Sequence, residues 1–235
     1  MIEELREDLE RASNPEGAKA SARFFKTGSG DYGEGDVFAG ISMPRLREIA
    51  KKYTKIPLNE ITELMNSKFH EYRMIGLILL VEMYKKSGKD YSDRRKIFEF
   101  YLKSMPGINN WDLVDVSAPH IPGDFAYREK SDVLRNLALS NNLWCRRIAI
   151  VSTYRFIKEK DFGEALVISD ILMKDEHDLM HKAVGWMLRE IGKRNQKILE
   201  LFLSTRYKDM PRTMLRYAIE KFEKDKRRKY LKGEI

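Results

Sequence analysis

The sequence predicts an all-α protein, and three observations support this fold class. Apolar residues recur at the spacing of amphipathic helices along almost the whole chain. Strand-like alternation of apolar and polar residues is almost absent, and no strand–helix–strand pattern occurs. Beyond residue 57 the helical segments come in pairs that each span roughly 35–40 residues, the range of HEAT-like and armadillo-like repeats. Antiparallel pairs of this kind stack into a curved solenoid with one long concave face.

The first elements follow from local capping signals. Asn14 can accept hydrogen bonds from the first turn of a helix, and Pro15 suits the first helical position. A glycine-rich loop over 28–40 follows, and Ser42 can cap the next helix. Helices are predicted over 2–12, 15–26 and 43–53, and then in the pairs 57–67 with 69–87, 91–104 with 109–119, 129–139 with 142–158, 161–173 with 176–193, and 195–205 with 210–224. The basic segment 224–232 is expected to be a solvated helix end or tail. No linker rich in Pro, Gly or Ser separates the pairs, so one domain over 1–235 is expected.

The composition restricts the class of protein. The 235 residues include 44 Lys and Arg against 36 Asp and Glu, a net charge of +8 that favours a polyanionic partner. The longest apolar run, 75–81, is too short to span a bilayer, and the N-terminus lacks a signal-peptide core. The single Cys145 excludes an intramolecular disulfide framework and a multi-cysteine zinc site. A cytoplasmic, monomeric protein without a membrane partner is expected.

The segment NWDLVD over 110–115 is the most informative motif. Trp111 and Asp115 are four residues apart, so they share one face of a helix. An aromatic face and a carboxylate both favour positive charge, and the surrounding basic surface favours anions. This combination suggests positively charged lesions on nucleic acid. The alternative is that Trp111 belongs to the core and that Asp115 caps a helix or pairs with an arginine.

Three other motifs favour structural roles. Residues 28–33 match the dinucleotide pattern G-x-G-x-x-G, but a helix precedes them and a loop follows, whereas the motif requires a strand before and a helix after. His177 and His181 have metal-ligand spacing without a third ligand. Cys145 has no histidine base placed beside it by the sequence. We therefore expect no nucleotide site, no metal and no catalytic cysteine.

Two further positions leave alternatives open. Arg146 and Arg147 open one helix, with one side chain expected to face solvent and the other a groove. Guanidinium groups can bind phosphates with paired hydrogen bonds, although an ordinary surface arginine pair has the same pattern. Gly185, next to Trp186, costs about 1 kcal/mol in a helix relative to Ala. It indicates close approach either by another group or by a packed helix.

Six segments together carry a family resemblance: 22–26, 32–36, 110–115, 144–150, 182–190 and 214–220. In this order they resemble the AlkD-like DNA alkylation repair family of bacterial DNA glycosylases, and the resemblance covers essentially the whole chain. It implies a right-handed HEAT-like solenoid with a basic concave DNA-binding face. It also implies hydrolytic excision of cationic N3- and N7-alkylated purines, such as 3-methyladenine and 7-methylguanine, from duplex DNA without obligatory base flipping and without a cofactor.

The resemblance also assigns roles to individual residues. Asp115 matches the catalytic carboxylate, Trp111 and Trp186 match two active-site tryptophans, and Arg147 matches an arginine near the DNA backbone. Phe24 falls where some members have a tyrosine, so any role of that hydroxyl is lost.

Arg146, Phe24 and Lys182 are expected on the DNA-binding face together with Arg147. The expected partner is double-stranded DNA with alkylated bases, without an obligate protein partner. The alternative is a non-catalytic solenoid that binds DNA or protein, because solenoids are commonly scaffolds.

Overall fold

The computed structural model describes residues 1–235. It contains sixteen α-helices and one short 3-10 helix, so the all-α prediction is confirmed. The β-structure is limited to one isolated bridge between Val37 and Phe69. The chain divides into two compact units, Met1–Ser117 and Ala118–Ile235. The single domain over 1–235 stays a prediction.

Unit 1, Met1–Ser117, is built around its longest helix. Its helices are α1 Ile2–Ala12, α2 Pro15–Phe24, α3 Met43–Lys52, α4 Leu58–Met65, α5 His70–Ser87, α6 Tyr91–Lys103, the 3-10 helix η1 Met105–Gly107, and α7 Trp111–Ser117. The predicted cap of α2 is confirmed, since the Asn14 side chain accepts from the backbone N–H groups of Glu16 and Gly17. Ser42 precedes α3 as expected, but its side chain makes no capping hydrogen bond.

Helix α5 is buried on nearly all sides, because α3, α4, α6 and α7 all pack against it. Gly76 allows α4 to approach closely: a Cβ atom there would lie 3.1 Å from Met65 Sδ and 3.2 Å from Leu64 Cβ. The first turn of α5 buries three polar side chains, His70, Glu71 and Arg73. Buried polar groups require partners, and these three organise the candidate site described below. No helix of the chain, α5 included, has the length and apolar character needed to cross a membrane.

Unit 2, Ala118–Ile235, departs from the predicted helix boundaries in three places. Its helices are α8 Pro122–Glu129, α9 Val133–Ala138, α10 Leu143–Ser152, α11 Tyr154–Lys158, α12 Gly163–Ile171, α13 Asp178–Arg194, α14 Gln196–Ser204, α15 Arg212–Ala218 and α16 Lys224–Lys232. Helix α8 was not predicted, although Pro122 at its first position is a recognisable start signal.

The other two departures also have local causes. The predicted helix 142–158 is divided at Thr153, whose hydroxyl donates to the Ile150 carbonyl at 2.6 Å and competes with the helical pattern there. The basic segment 224–232 is a complete helix rather than a tail. The side chain of Glu223 caps this helix, and Tyr230 anchors it with only 3% of its surface exposed.

Candidate active site

Trp111 and Asp115 lie one turn apart on α7, so the prediction that they share a helix face is confirmed. The buried face of α7 contains Leu113 and Val114, neither of which has exposed area. Trp111 and Asp115 lie on a different face, and both are partly exposed. Trp111 is therefore not a fully enclosed core residue.

The start of α7 is held by two polar side chains. Asn110 is completely buried, and its Oδ1 accepts from the backbone N–H of Trp111 at 2.8 Å. Its Nδ2 donates to Asp36 Oδ2 at 3.1 Å. Asp112 Oδ1 accepts from the backbone N–H of Leu113 at 2.8 Å. These bonds fix the backbone from which the Trp111 side chain projects.

An aromatic cluster surrounds the Trp111 ring. Phe25 stacks on Trp111 with the ring centroids 5.4 Å apart, and Phe38 in turn stacks on Phe25 at 5.0 Å. Phe24 meets Trp111 edge-on at 6.1 Å while 66% of its own surface stays exposed. Aromatic pairs in these geometries are typically worth about 0.5–1.5 kcal/mol beyond burial. The cluster thus holds Trp111 in place and presents Phe24 to solvent beside it.

A buried network of charged side chains connects the first turn of α5, the glycine-rich loop and α7. The ring of His70 lies between two carboxylates, with Nδ1 2.9 Å from Asp36 and Nε2 2.9 Å from Asp112. Arg73 donates to the second oxygen of Asp36 and, at 3.1 Å, to Asn109. We name the residues Asp36, His70, Arg73 and Asp112 the His70 network.

The His70 network shifts the pKa of two of its members, His70 and Asp36. Burial by itself would lower the pKa of His70, but the hydrogen bonds to Asp112 and Asp36 outweigh it and raise the pKa to about 9. Burial would raise the pKa of Asp36, yet the His70 hydrogen bond and the Arg73 charge keep it below its ordinary value. At neutral pH the imidazole of His70 is therefore a cation, and its neighbour Asp36 is an anion.

The sequence motifs did not reveal this network. Asp36 lies in the glycine-rich loop and His70 opens α5, at 34 residues' separation. The only signal was a histidine and an aspartate, each at the edge of a helix or loop, and such residues are common on surfaces.

The glycine-rich loop is held by the neighbouring carboxylate of Glu71. This carboxylate accepts from the backbone N–H groups of Ala39 at 2.8 Å, Gly40 at 2.7 Å and Ile41 at 3.2 Å. Gly40 has a φ of +77°, and a Cβ there would lie 2.1 Å from the Asn14 carbonyl oxygen. The loop thus packs directly on the start of α2, where only glycine fits.

The G-x-G-x-x-G match over 28–33 belongs to this loop, between α2 and α3. Of its three glycines only Gly30 has a positive φ, of +81°. At Gly33 a Cβ would lie 2.4 Å from the Phe25 carbonyl oxygen, so this glycine permits close packing. The arrangement is that of a connection between helices, without the strand that a dinucleotide motif requires.

In unit 2 the arginine pair on α10 is bound by protein groups. Arg146 Nε donates to Asp175 at 2.6 Å, and its Nη1 donates to the Asn141 carbonyl at 2.9 Å. Arg147 is only 5% exposed, and its Nη1 donates to the Leu179 carbonyl on α13 at 2.9 Å. A phosphate contact by Arg147 stays a prediction.

Helix α13 contains the two remaining predicted site residues. Trp186 is partly exposed and lies against Tyr154, with the ring centroids 6.3 Å apart and the planes tilted by 32°. The Arg194 guanidinium lies over the Tyr154 ring, 5.6 Å from its centroid. Lys182 pairs with Asp178 at 2.7 Å. Trp186 therefore belongs to an aromatic and cationic group of its own.

Close helix packing explains Gly185. A Cβ there would lie 2.5 Å from the Met214 carbonyl oxygen and 2.5 Å from Tyr217 Cβ, both on α15. Of the two explanations left open by the sequence, helix–helix contact is the one that the structure supports. This contact holds the segment of α13 from which Trp186 projects.

We expect Gly185→Ala to destabilise the protein by about 1–3 kcal/mol, because overpacking a close helix contact costs that much. The clash would override the roughly 1 kcal/mol that Ala otherwise gains over Gly in a helix. Urea unfolding followed by circular dichroism measures the change. Gly163→Ala is the matched control, since its Cβ would meet only Asp161 Oδ1 at 3.7 Å. A Gly185→Ala protein as stable as this control would contradict the explanation.

The two histidines and the cysteine have local roles. His177 Nδ1 accepts from the backbone N–H of Leu179 at 3.1 Å and so caps α13. The ring of His181 hydrogen-bonds to the Asp175 carbonyl. No group of three or more potential metal-binding side chains is present. Cys145 is a half-buried free thiol.

The predicted site residues fall into two groups. Unit 1 brings Phe24 into contact with Trp111 and places Asp115 on the helix of Trp111. Unit 2 contains Arg146, Arg147, Lys182 and Trp186.

Comparison with known proteins adds family information to this geometry. The family model described as DNA alkylation repair enzyme matches residues 5–222. A solved structure described as a predicted DNA alkylation repair enzyme from Enterococcus faecalis has the same fold, with a TM-score of 0.69 and 17% identity over 90% of this chain and 97% of that one. No curated protein sequence matches. Because the family model covers most of the chain, including α7 and the segment of α13 with Trp186, this protein belongs to the DNA alkylation repair enzyme family.

Proposed function

We propose that this protein is a monofunctional DNA glycosylase that excises cationic N3- and N7-alkylated purines from duplex DNA, without obligatory base flipping. Family membership supports a role in alkylation repair. The observation that carries the finer assignment is the pairing of Asp115 with Trp111 on one partly exposed face of α7, beside the exposed ring of Phe24. A carboxylate beside aromatic faces is suited to a transition state with developing positive charge.

The leaving base does not need to be protonated by the enzyme. Alkylation at N3 or N7 makes the purine cationic, so the base departs neutral when it takes the electron pair of the N-glycosidic bond. Positive charge then develops on the deoxyribose, as in glycoside hydrolysis. Water adds its oxygen to C1′ and releases one proton to solution. We assign the stabilisation of this charge and the positioning of the water to Asp115.

The tryptophans and the basic residues would assist this step. We assign the stabilisation of the cationic sugar by indole faces to Trp111 and Trp186, with contacts of roughly 0.5–2 kcal/mol each depending on desolvation. Arg147, Arg146 and Lys182 would contact the DNA backbone, and Phe24 would pack against the duplex near the lesion. The right-handed solenoid with a basic concave face, acting as a monomer, is part of this proposal.

The charge distribution supports a polyanionic partner. Residues 191–235 contain 14 Lys and Arg against 6 Asp and Glu, whereas residues 1–190 contain 30 of each sign. The whole net charge of +8 therefore lies in the last 45 residues, which form the end of α13 and helices α14 to α16. Several of these cations, including Arg216, Lys224, Arg228 and Lys229, are exposed. We propose that this region contributes phosphate contacts to duplex DNA.

Incubation with duplex DNA containing 7-methylguanine, followed by chromatography of the released bases, tests the activity. We expect free 7-methylguanine and an abasic site, with undamaged duplex left intact. Binding of the duplex without release of any base, from either 7-methylguanine or 3-methyladenine, would overturn the assignment and favour a non-catalytic DNA-binding protein.

A further inference from the structure

The His70 network lies directly behind the proposed active-site helix. The side chains of His70 and Asp36 are 3% and 2% exposed, and that of Asp112 is 17% exposed. A buried ionic group of this kind is costly unless every member is paired, so its presence calls for an explanation. The position of the network suggests an explanation, because two of its hydrogen bonds lead to residues at the start of α7.

Both ring nitrogens of His70 face a carboxylate at 2.9 Å. A neutral imidazole has one N–H donor, whereas an imidazolium has two. The doubly protonated ring is therefore the form that satisfies both carboxylates. It acts as a cationic bridge between the loop residue Asp36 and the α7 residue Asp112.

The bridge reaches Trp111 by two routes. Asp112 follows Trp111 directly in the chain and hydrogen-bonds to His70. On the other side, Asp36 accepts from Asn110, whose Oδ1 in turn accepts from the Trp111 backbone N–H at 2.8 Å. The ring of Phe38 stacks on His70 with the centroids 4.7 Å apart, and the ring of Phe25 lies tilted against it at 5.2 Å. The hydrogen bonds of both routes limit the freedom of the first turn of α7.

On the basis of the proposed function, we propose that His70 is a positioning residue of the active site. Its imidazolium, held between Asp36 and Asp112, fixes the start of α7 and thereby the geometry of Trp111 and Asp115 toward the deoxyribose. It does not touch the substrate. Small displacements of catalytic groups can reduce rates by about 100-fold, so such an anchor has a measurable effect.

The anchor predicts a defined pH dependence. The groups that face His70 are Asp36 from the loop and Asp112 from α7. Two charged neighbours of His70 on α5 are bound elsewhere: Arg73 pairs with Asp36, and the carboxylate of Glu71 binds the loop backbone. The pKa of His70 is raised from 6.5 to about 9. The stabilisation by the charged ring is therefore complete below about 6.5 and is lost as the pH rises through about 9.

The test uses His70→Gln and Asp112→Asn in the full chain. Glutamine supplies a donor to only one carboxylate, and Asp112→Asn removes one charge at the more exposed end of the network. We expect each variant to reduce the single-turnover rate of 7-methylguanine release about 10–100-fold, with the dissociation constant for DNA changed less than about threefold. Asp112→Asn should also move the alkaline decline of the rate to lower pH, because His70 loses one anion. Asp209→Asn, at an exposed aspartate after α14, is the matched control for the change in net charge.

A nuclear magnetic resonance measurement, which does not depend on catalysis, tests this proposal separately from the proposed function. The indole N–H resonance of Trp111, assigned with Trp111→Phe, should shift in both variants and should titrate near pH 9 in the unaltered protein. If the unaltered protein releases no base, the proposed function fails while this resonance still tests the anchor. An unchanged Trp111 resonance in a folded Asp112→Asn protein, or unchanged rates and pH profiles in both folded variants, would overturn the positioning role.

Discussion

Asp115→Asn is expected to lose most base excision while it still binds DNA. The substitution preserves the size of the side chain and removes its negative charge, which is the property that a developing sugar cation requires. Removal of one preorganised electrostatic group from an active site typically costs about 100–1000-fold in rate. Single-turnover release of 7-methylguanine from a duplex gives the rate, and titration of a fluorescent duplex gives the affinity.

Asp209→Asn provides the control for this experiment. Asp209 is an exposed aspartate after α14, so its substitution makes the same change in net charge away from α7. We expect this variant to excise at the unaltered rate. Equal excision rates for Asp115→Asn and Asp209→Asn would remove Asp115 from the mechanism, even if the protein proves to be a glycosylase.

Neutralisation of the basic C-terminal surface is expected to have the second large effect, on binding rather than on chemistry. A protein with Arg216, Lys224, Arg228 and Lys229 all replaced by Gln loses four cations from the region that contains the whole net charge. Each phosphate contact contributes about 0.9 to the slope of log affinity against log salt. We expect the slope to fall by up to about 4 and the affinity to fall on the order of tenfold or more at moderate salt.

The matched control replaces four exposed cations of unit 1, Arg47, Lys51, Lys55 and Lys89, by Gln. This protein has the same net charge as the C-terminal variant, so a general charge effect would weaken both equally. We expect only the C-terminal variant to show a reduced salt slope, while its single-turnover rate at saturating DNA stays unaltered. Identical salt slopes in the two variants would exclude the C-terminal surface as a phosphate-binding region.

The sequence by itself was sufficient for the features that depend on neighbours within about one helical turn. The all-α class follows from periodicity, the start of α2 from Asn14 and Pro15, and the common face of Trp111 and Asp115 from their spacing. The physical reason is that helical hydrogen bonds, caps and faces join residues only three or four positions apart. The boundaries were less predictable, as α8 and the break at Thr153 illustrate, because turn chemistry competes there with weak periodicity.

The tertiary structure alone decided the contacts that bring distant segments together. His70 meets partners 34 and 42 residues away, and no local pattern relates these positions. Likewise, packing determines that Arg147 is buried and that Gly185 contacts α15. These outcomes depend on which helices pack against each other and on the desolvation that follows, and both are properties of the assembled fold rather than of any short stretch of the chain.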